Sequence, residues 1–121
     1  MKRLATAVAV VILTGACGGR EAERSEVAGA APQHYRDWGC PLCHGDDREG
    51  TELGPALTDL EEAWDVTTLA AYLKEPERFR RDDPRVRELR TSYPEVTMPG
   101  YDRAEPERLV LADWLLTSPA D

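Results

Sequence analysis

The first apolar stretch of the chain, Leu4 to Leu13, is a continuous run of Ala, Val, Leu and Ile with Thr6 inside it, behind a basic head, Met1-Lys2-Arg3. Extended to Ala16 it is thirteen residues long, short of the ~20 that a spanning helix requires. Residues 1–16 therefore read as a secretory signal peptide. From Gly18 to Gln33 large apolar residues almost disappear, Val27 being the one of any size. Such a composition cannot bury a core, and residues 17–33 are expected to form a flexible tether with a root-mean-square reach of about 20–24 Å at ~5–6 Å per square root of residue number.

Beyond the tether, residues 34–121 carry helical periodicity in short pieces. Tyr35 and Trp38 lie three apart and predict a short helix over residues 34–39. Asp65 is a plausible cap for a helix that runs to Lys74 and stops at Pro76, with Leu69, Tyr72 and Leu73 on one face at i, i+3 and i+4. Residues 104–117 predict a closing helix with Pro106 in its first turn, Glu105 and Glu107 at the dipole's positive end, and Leu111, Trp114 and Leu115 on one face. Residues 77–95 are broken by Pro84 and Pro94, with room for a short helix over 85–90. No run of alternating or β-branched residues that would predict a strand precedes Cys40.

Length and charge narrow the picture. The 121 residues fit one small domain, and formal net charge is −8. Loss of Lys2 and Arg3 with the signal leaves 13 basic against 23 acidic residues, which argues against nucleic acid as a partner. The charge is polarised along the chain: nine acids accompany Arg48 alone between Asp37 and Asp65, whereas six arginines face three acids between Arg78 and Arg90. That asymmetry suits either a solvated surface or an orienting dipole for docking to a charged protein. An 88-residue domain with one Phe has a thin core, since a chain of that size buries only about 60–65% of its unfolded surface.

The candidate chemistry is concentrated in Cys40-Pro41-Leu42-Cys43-His44. Two thiols and an adjacent imidazole at this spacing match the attachment site of a c-type haem, in which the cysteines add to the vinyl groups and the histidine reaches the iron. A bare C-x-x-C also serves zinc and dithiol redox centres. Zinc would have to take Cys40, Cys43, His44 and His34, with His44 badly placed beside Cys43, and a thioredoxin-like dithiol would follow a buried strand that this sequence lacks. Met98 is the only methionine left after removal of the signal and stands 54 residues beyond His44, enough chain to return on the far side of a porphyrin. His34, ten residues before His44, is the other conceivable ligand but is better read as a surface or helix-start histidine.

With these residues the chain resembles class I cytochromes c over nearly all of residues 34–121. The resemblance implies a small all-α fold of short helices wrapped around one covalently attached haem, with His44 and Met98 as axial ligands to the iron. It implies that Pro55, eleven residues past His44, offers its carbonyl to the proximal imidazole, and that Leu57 packs on the ring. Leu69, Tyr72 and Leu73 match the family's "L-x-x-Y-L…P" helix beside the haem. Met98-Pro99-Gly100-Tyr101 matches its distal loop, and Trp114 matches the aromatic of the last helix, where that helix crosses the first beside the haem edge. The family's aromatic four residues before the first cysteine is here Arg36, with Tyr35 one step earlier. The implied role is single-electron transfer between redox proteins with no small-molecule substrate, as a shuttle or a subunit of a respiratory complex, and not as an enzyme. If Met98 did not ligate, a haem sensor or peroxidase-like protein with an open iron would be the alternative.

Leu13-Thr14-Gly15-Ala16-Cys17 resembles a bacterial lipoprotein box, with Thr14 where that family prefers an aliphatic residue. It implies lipidation of Cys17 and an exported, periplasmic or cell-surface location, the lipid holding the tether to the membrane. A soluble exported protein cleaved at the same bond is the alternative. Cys17→Ser is expected to move the protein from the membrane to the soluble exported fraction, as read by cell fractionation; continued membrane association would rule out a lipid anchor at this residue.

Overall fold

A computed structural model describes Arg20 and residues 26–119. The expected signal peptide, Cys17 and most of the expected tether lie outside the described residues. Within them the chain is all-α with no strand: α1 (Ala31–Asp37), α2 (Pro41–His44), a 3-10 turn at Leu60–Glu62, α3 (Val66–Lys74), α4 (Pro76–Asp82), α5 (Pro84–Ser92) and α6 (Glu105–Thr117). No helix among the described residues is long and apolar enough to cross a membrane.

Helix α3 starts where Asp65 caps it, accepting from the Thr68 backbone N–H and hydroxyl, both at 2.8 Å. It yields at Pro76, which blocks one helix and, as a first-turn residue, opens the next. Helix α5 repeats the device: Asp83 caps it by accepting from the Arg85 N–H at 2.9 Å, with Pro84 behind. Over residues 77–95, where the sequence left room for a short helix over 85–90, the chain forms α4 and the longer α5. The first helix also reaches back into the expected tether, and Ala31, within the 17–33 boundary, is fully buried. A small side chain at that position lets α1 come close to its neighbours, so packing begins three residues before His34.

The long closing helix α6 lies against α3, with α1 packed on α6 from another side. Leu111 and Ala112 are fully buried, and Leu69, Ala70, Leu73, Tyr35 and Leu115 are nearly so. The Tyr35 ring lies 5.6 Å from Trp114, and its hydroxyl donates to the Gly45 carbonyl at 2.7 Å. Tyr35 thus fills the place between first and last helices, while Arg36 is exposed. Two buried guanidiniums bind the frame together. Arg48 stacks over Trp114 at 4.4 Å and donates to the Ser118 and Pro119 carbonyls, and Arg108 donates to the Ala70 and Arg103 carbonyls. Leu111→Ala should lower unfolding stability by about 2–5 kcal/mol, read as a fall in guanidinium midpoint at unchanged slope; a loss below about 0.5 kcal/mol, the range of surface substitutions, would place Leu111 outside the cooperative core.

Candidate functional site

Helix α2 is a single turn that presents the sequence motif. Cys40 occupies its N-cap position, Pro41 fixes the first turn, and the His44 N–H bonds the Cys40 carbonyl at 3.0 Å. Gly39 (φ 78°) turns the chain out of α1 and Gly45 (φ 85°) turns it out of α2, both in the left-handed region where a Cβ is disfavoured. Between these turns Cys40 and His44 are buried and Leu42 points outward at 77% exposure. Cys40 and Cys43 are free thiols.

The loop after α2 folds back over it. The Gly50 N–H bonds the His44 carbonyl at 2.8 Å, the Thr51 hydroxyl bonds the Cys43 carbonyl at 2.7 Å, and the Leu57 N–H bonds the Arg48 carbonyl at 2.9 Å. At Gly54 the backbones approach so closely that a Cβ would lie 2.9 Å from the Cys43 oxygen. This closure brings the Pro55 carbonyl 2.7 Å from Nδ1 of His44. The carbonyl can only accept, so Nδ1 carries the proton and Nε2 is left with its lone pair. Burial pushes the His44 pKa down, and the hydrogen bond to Pro55 opposes this in part. The imidazole is therefore neutral at pH 7, the form that ligates a metal.

His44 lines a cavity of about 260 Å³ whose lining is mostly apolar. Of the residues proposed from sequence, Cys40, Cys43, Pro55, Leu57, Leu69, Tyr72, Leu73, Met98 and Tyr101 share that lining. Trp114 does not: on α6 the cavity side is taken by Leu111 and Leu115, while Trp114 stands where α6 crosses α1, against Tyr35 and Arg48. His34 also lies outside the lining and stacks on Trp38 at 5.2 Å.

The segment that carries Met98 is irregular, and it docks on the end of α3. The Tyr101 N–H bonds the Leu73 carbonyl at 2.8 Å, and a Cβ on Gly100 would come within 2.5 Å of the Lys74 oxygen. The Tyr101 ring stacks on Trp38 at 5.6 Å. Cavity residues that sequence reasoning passed over include Trp64, Val86, Leu111 and Arg80. Leu111 was on a predicted apolar face. Trp64 packs against Tyr72 and Phe79 in an aromatic group that no short-range spacing would have revealed.

The lining brings together a neutral imidazole, a thioether and two free thiols, and these suit a covalently attached haem: thiols to anchor it, nitrogen and sulfur to ligate it, and apolar walls against its faces. Among the described residues no group of three or more His, Cys, Asp or Glu side chains could hold a metal ion. Compared with protein-family models, characterised proteins and solved structures, the chain matched none.

Burial pushes the Cys40 thiol up to about 11, against partial opposition from a backbone hydrogen bond and the Tyr101 hydroxyl. A thiol with that pKa is ionised to roughly one part in a thousand at pH 8, and only the thiolate attacks an alkylating reagent. In the reduced polypeptide, iodoacetamide at pH 8 should modify the more exposed Cys43 well before Cys40, with the Cys40 rate rising about tenfold per pH unit toward pH 11; peptide mass spectrometry reads both. Equal rates at pH 8 would contradict a buried Cys40.

Proposed function

We propose that this protein is an exported, membrane-tethered electron carrier of the class I cytochrome c type, holding one haem through Cys40 and Cys43 with His44 and Met98 as axial ligands. The observation that carries the reading is the His44–Pro55 hydrogen bond beside a cavity that also takes in Met98. That bond sets the tautomer a ligand needs before any metal arrives, and a carbonyl acceptor behind an imidazole strengthens it as a donor.

Each thiol would add across one vinyl group, its sulfur bonding to carbon and its hydrogen passing to the other vinyl carbon, so that the anchor needs no oxidant. Bound there, the haem supplies an iron that moves between ferrous and ferric states by one electron. The chain's own residues do the rest. His44 is held neutral and oriented by Pro55, and Met98 offers a soft, neutral sulfur that favours the reduced iron. Leu57, Leu69, Leu73, Leu111 and Leu115 keep water from the cavity, raising the cost of the extra ferric charge.

In this reading the partners are redox proteins that exchange electrons with the cytochrome as shuttle or complex subunit, and the Cys17 lipid and the tether keep the domain close to them at the membrane. No substrate is bound and no enzymatic step is assigned.

The test is an oxidised and a reduced visible spectrum of protein exported from cells able to mature c-type cytochromes, with haem staining after denaturing electrophoresis. Stain retained on the polypeptide and a low-spin reduced spectrum are expected; a colourless protein would sink the proposal. Met98→Ala should open the iron to carbon monoxide and lower the midpoint potential by on the order of 0.1 V, a fraction of the ~0.8 V that axial ligands span. An unchanged spectrum and potential in that variant would mean that another residue is the ligand.

A further inference from the structure

We infer that Arg80 is the positioning residue of the methionine loop: its guanidinium holds the Met98 backbone carbonyl and thereby keeps the thioether in ligating position. The inference rests on the electron-carrier reading and deepens it, assigning a task to one arginine in a stretch whose charge could otherwise be taken for solvated surface.

The arginines of that stretch differ sharply in environment. Arg78 is half-exposed and paired with Glu75 one turn away, and Arg85 is half-exposed and paired with Asp83. Arg81 and Arg87 are exposed, and Arg90, though it reaches the cavity lining, is exposed as well. The Arg80 side chain is only 12% exposed and belongs to the cavity lining. One terminal nitrogen ion-pairs with Glu77, and the other donates to the Met98 carbonyl oxygen at 2.5 Å. A charge-assisted bond of this kind is about twice as strong as a neutral one.

The loop gives that bond its importance. Pro94 and Pro99 have no N–H to donate, Pro94 and Glu95 form only a local turn, and among the described residues the bond from Arg80 is the one hydrogen bond that ties residues 94–100 to another element. Downstream, Tyr101 and Gly100 are fixed to the end of α3. Upstream, the next backbone anchor is the Tyr93 N–H on the Leu89 carbonyl in α5. Met98 therefore has a firm hold three residues later and a distant one five residues earlier, with Arg80 gripping it at its own carbonyl. A thioether carries no charge to draw it to the iron, so its occupancy depends on how narrowly the backbone confines it. Release of the carbonyl raises the fraction of molecules with sulfur off the metal, and an outside ligand reads that fraction directly through its apparent affinity.

The experiment compares wild-type holoprotein with Arg80→Gln, Arg80→Lys and Glu77→Gln, each matured with haem. In the ferric state it follows the sulfur-to-iron charge-transfer absorption and titrates imidazole as the competing ligand. Arg80→Gln should bind imidazole roughly ten- to a hundredfold more tightly than wild type, the range expected for loss of one hydrogen bond from a charged donor. Arg80→Lys, with one ammonium to replace the fork, should fall between them and decides the matter if Arg80→Gln retains no haem. Glu77→Gln breaks the exposed ion pair but leaves the carbonyl bond, and should change the affinity by less than about threefold. Wild-type imidazole affinity in both Arg80 variants, even with a lower unfolding midpoint, would make Arg80 a stability residue only and overturn the inference. An effect of Glu77→Gln as large as that of Arg80→Gln would overturn it too, by tracing the change to general loosening of α4. Failure of the underlying reading appears separately, as a wild-type protein without covalent haem or without the charge-transfer absorption.

Discussion

One hydrogen bond, from His44 Nδ1 to the Pro55 carbonyl, ties the chemistry of the site to the path of the chain. To make it, eleven residues must leave α2, reverse and return within hydrogen-bond distance, and the intervening sequence is fitted to that. Gly45 and Gly50 supply left-handed turns, and at Gly50 a Cβ would also strike the Ala56 nitrogen at 2.6 Å. Gly54 admits the Cys43 carbonyl at a distance no side chain allows, and Thr51 then bonds that same carbonyl. A loop of such polar composition would otherwise stay in water. Here its backbone polar groups are satisfied against α2 itself, and that lets an imidazole be both buried and oriented.

The frame behind the site is held by an unusual use of arginine. In a chain of net charge −8 the deeply placed guanidiniums are joined to backbone carbonyls more than to carboxylates: Arg48 to the end of α6, Arg108 to the middle of α3, and Arg80 to Met98. Burial of a cation is costly unless its donors are used, and a carbonyl is an acceptor that costs little to desolvate compared with a second ion. Each of these arginines joins segments far apart in sequence, so three side chains do work that a thin apolar core would otherwise have to do alone.

What the sequence made legible follows from how local each signal is. The motif at residues 40–44, the cap at Asp65, the apolar faces of α3 and α6 and the proline eleven residues past His44 are all short-range patterns, and their positions agree with the structure. Helix α4 was missed because Pro76 was read only as a stop, although the same ring geometry that ends one helix starts another. Spacing put Leu111, Trp114 and Leu115 on one face of α6 but could not say what lies opposite each; Leu111 and Leu115 line the cavity, and Trp114 meets Tyr35 where α6 crosses α1. The roles of Arg48, Arg80 and Arg108 were invisible, since an arginine bound to a distant carbonyl looks in sequence like any other arginine in a charged run. The family resemblance reaches further than any of these patterns, and it is carried by the motif and the two proline-bearing loops rather than by the core.

The electrostatic character of the cavity has a consequence for its chemistry. Burial keeps His44 unprotonated and Cys40 a neutral thiol at physiological pH, and the thioether of Met98 has no charge in any state. The donor groups in the lining therefore contribute no anion, while Arg80 and Arg90 bring cations to the same lining. Such surroundings oppose the accumulation of positive charge on anything held there. For a group that alternates between two charge states they favour the less positive one, the reduced state of an iron. Under the electron-carrier proposal, the burial that holds these groups neutral would thus favour the reduced state.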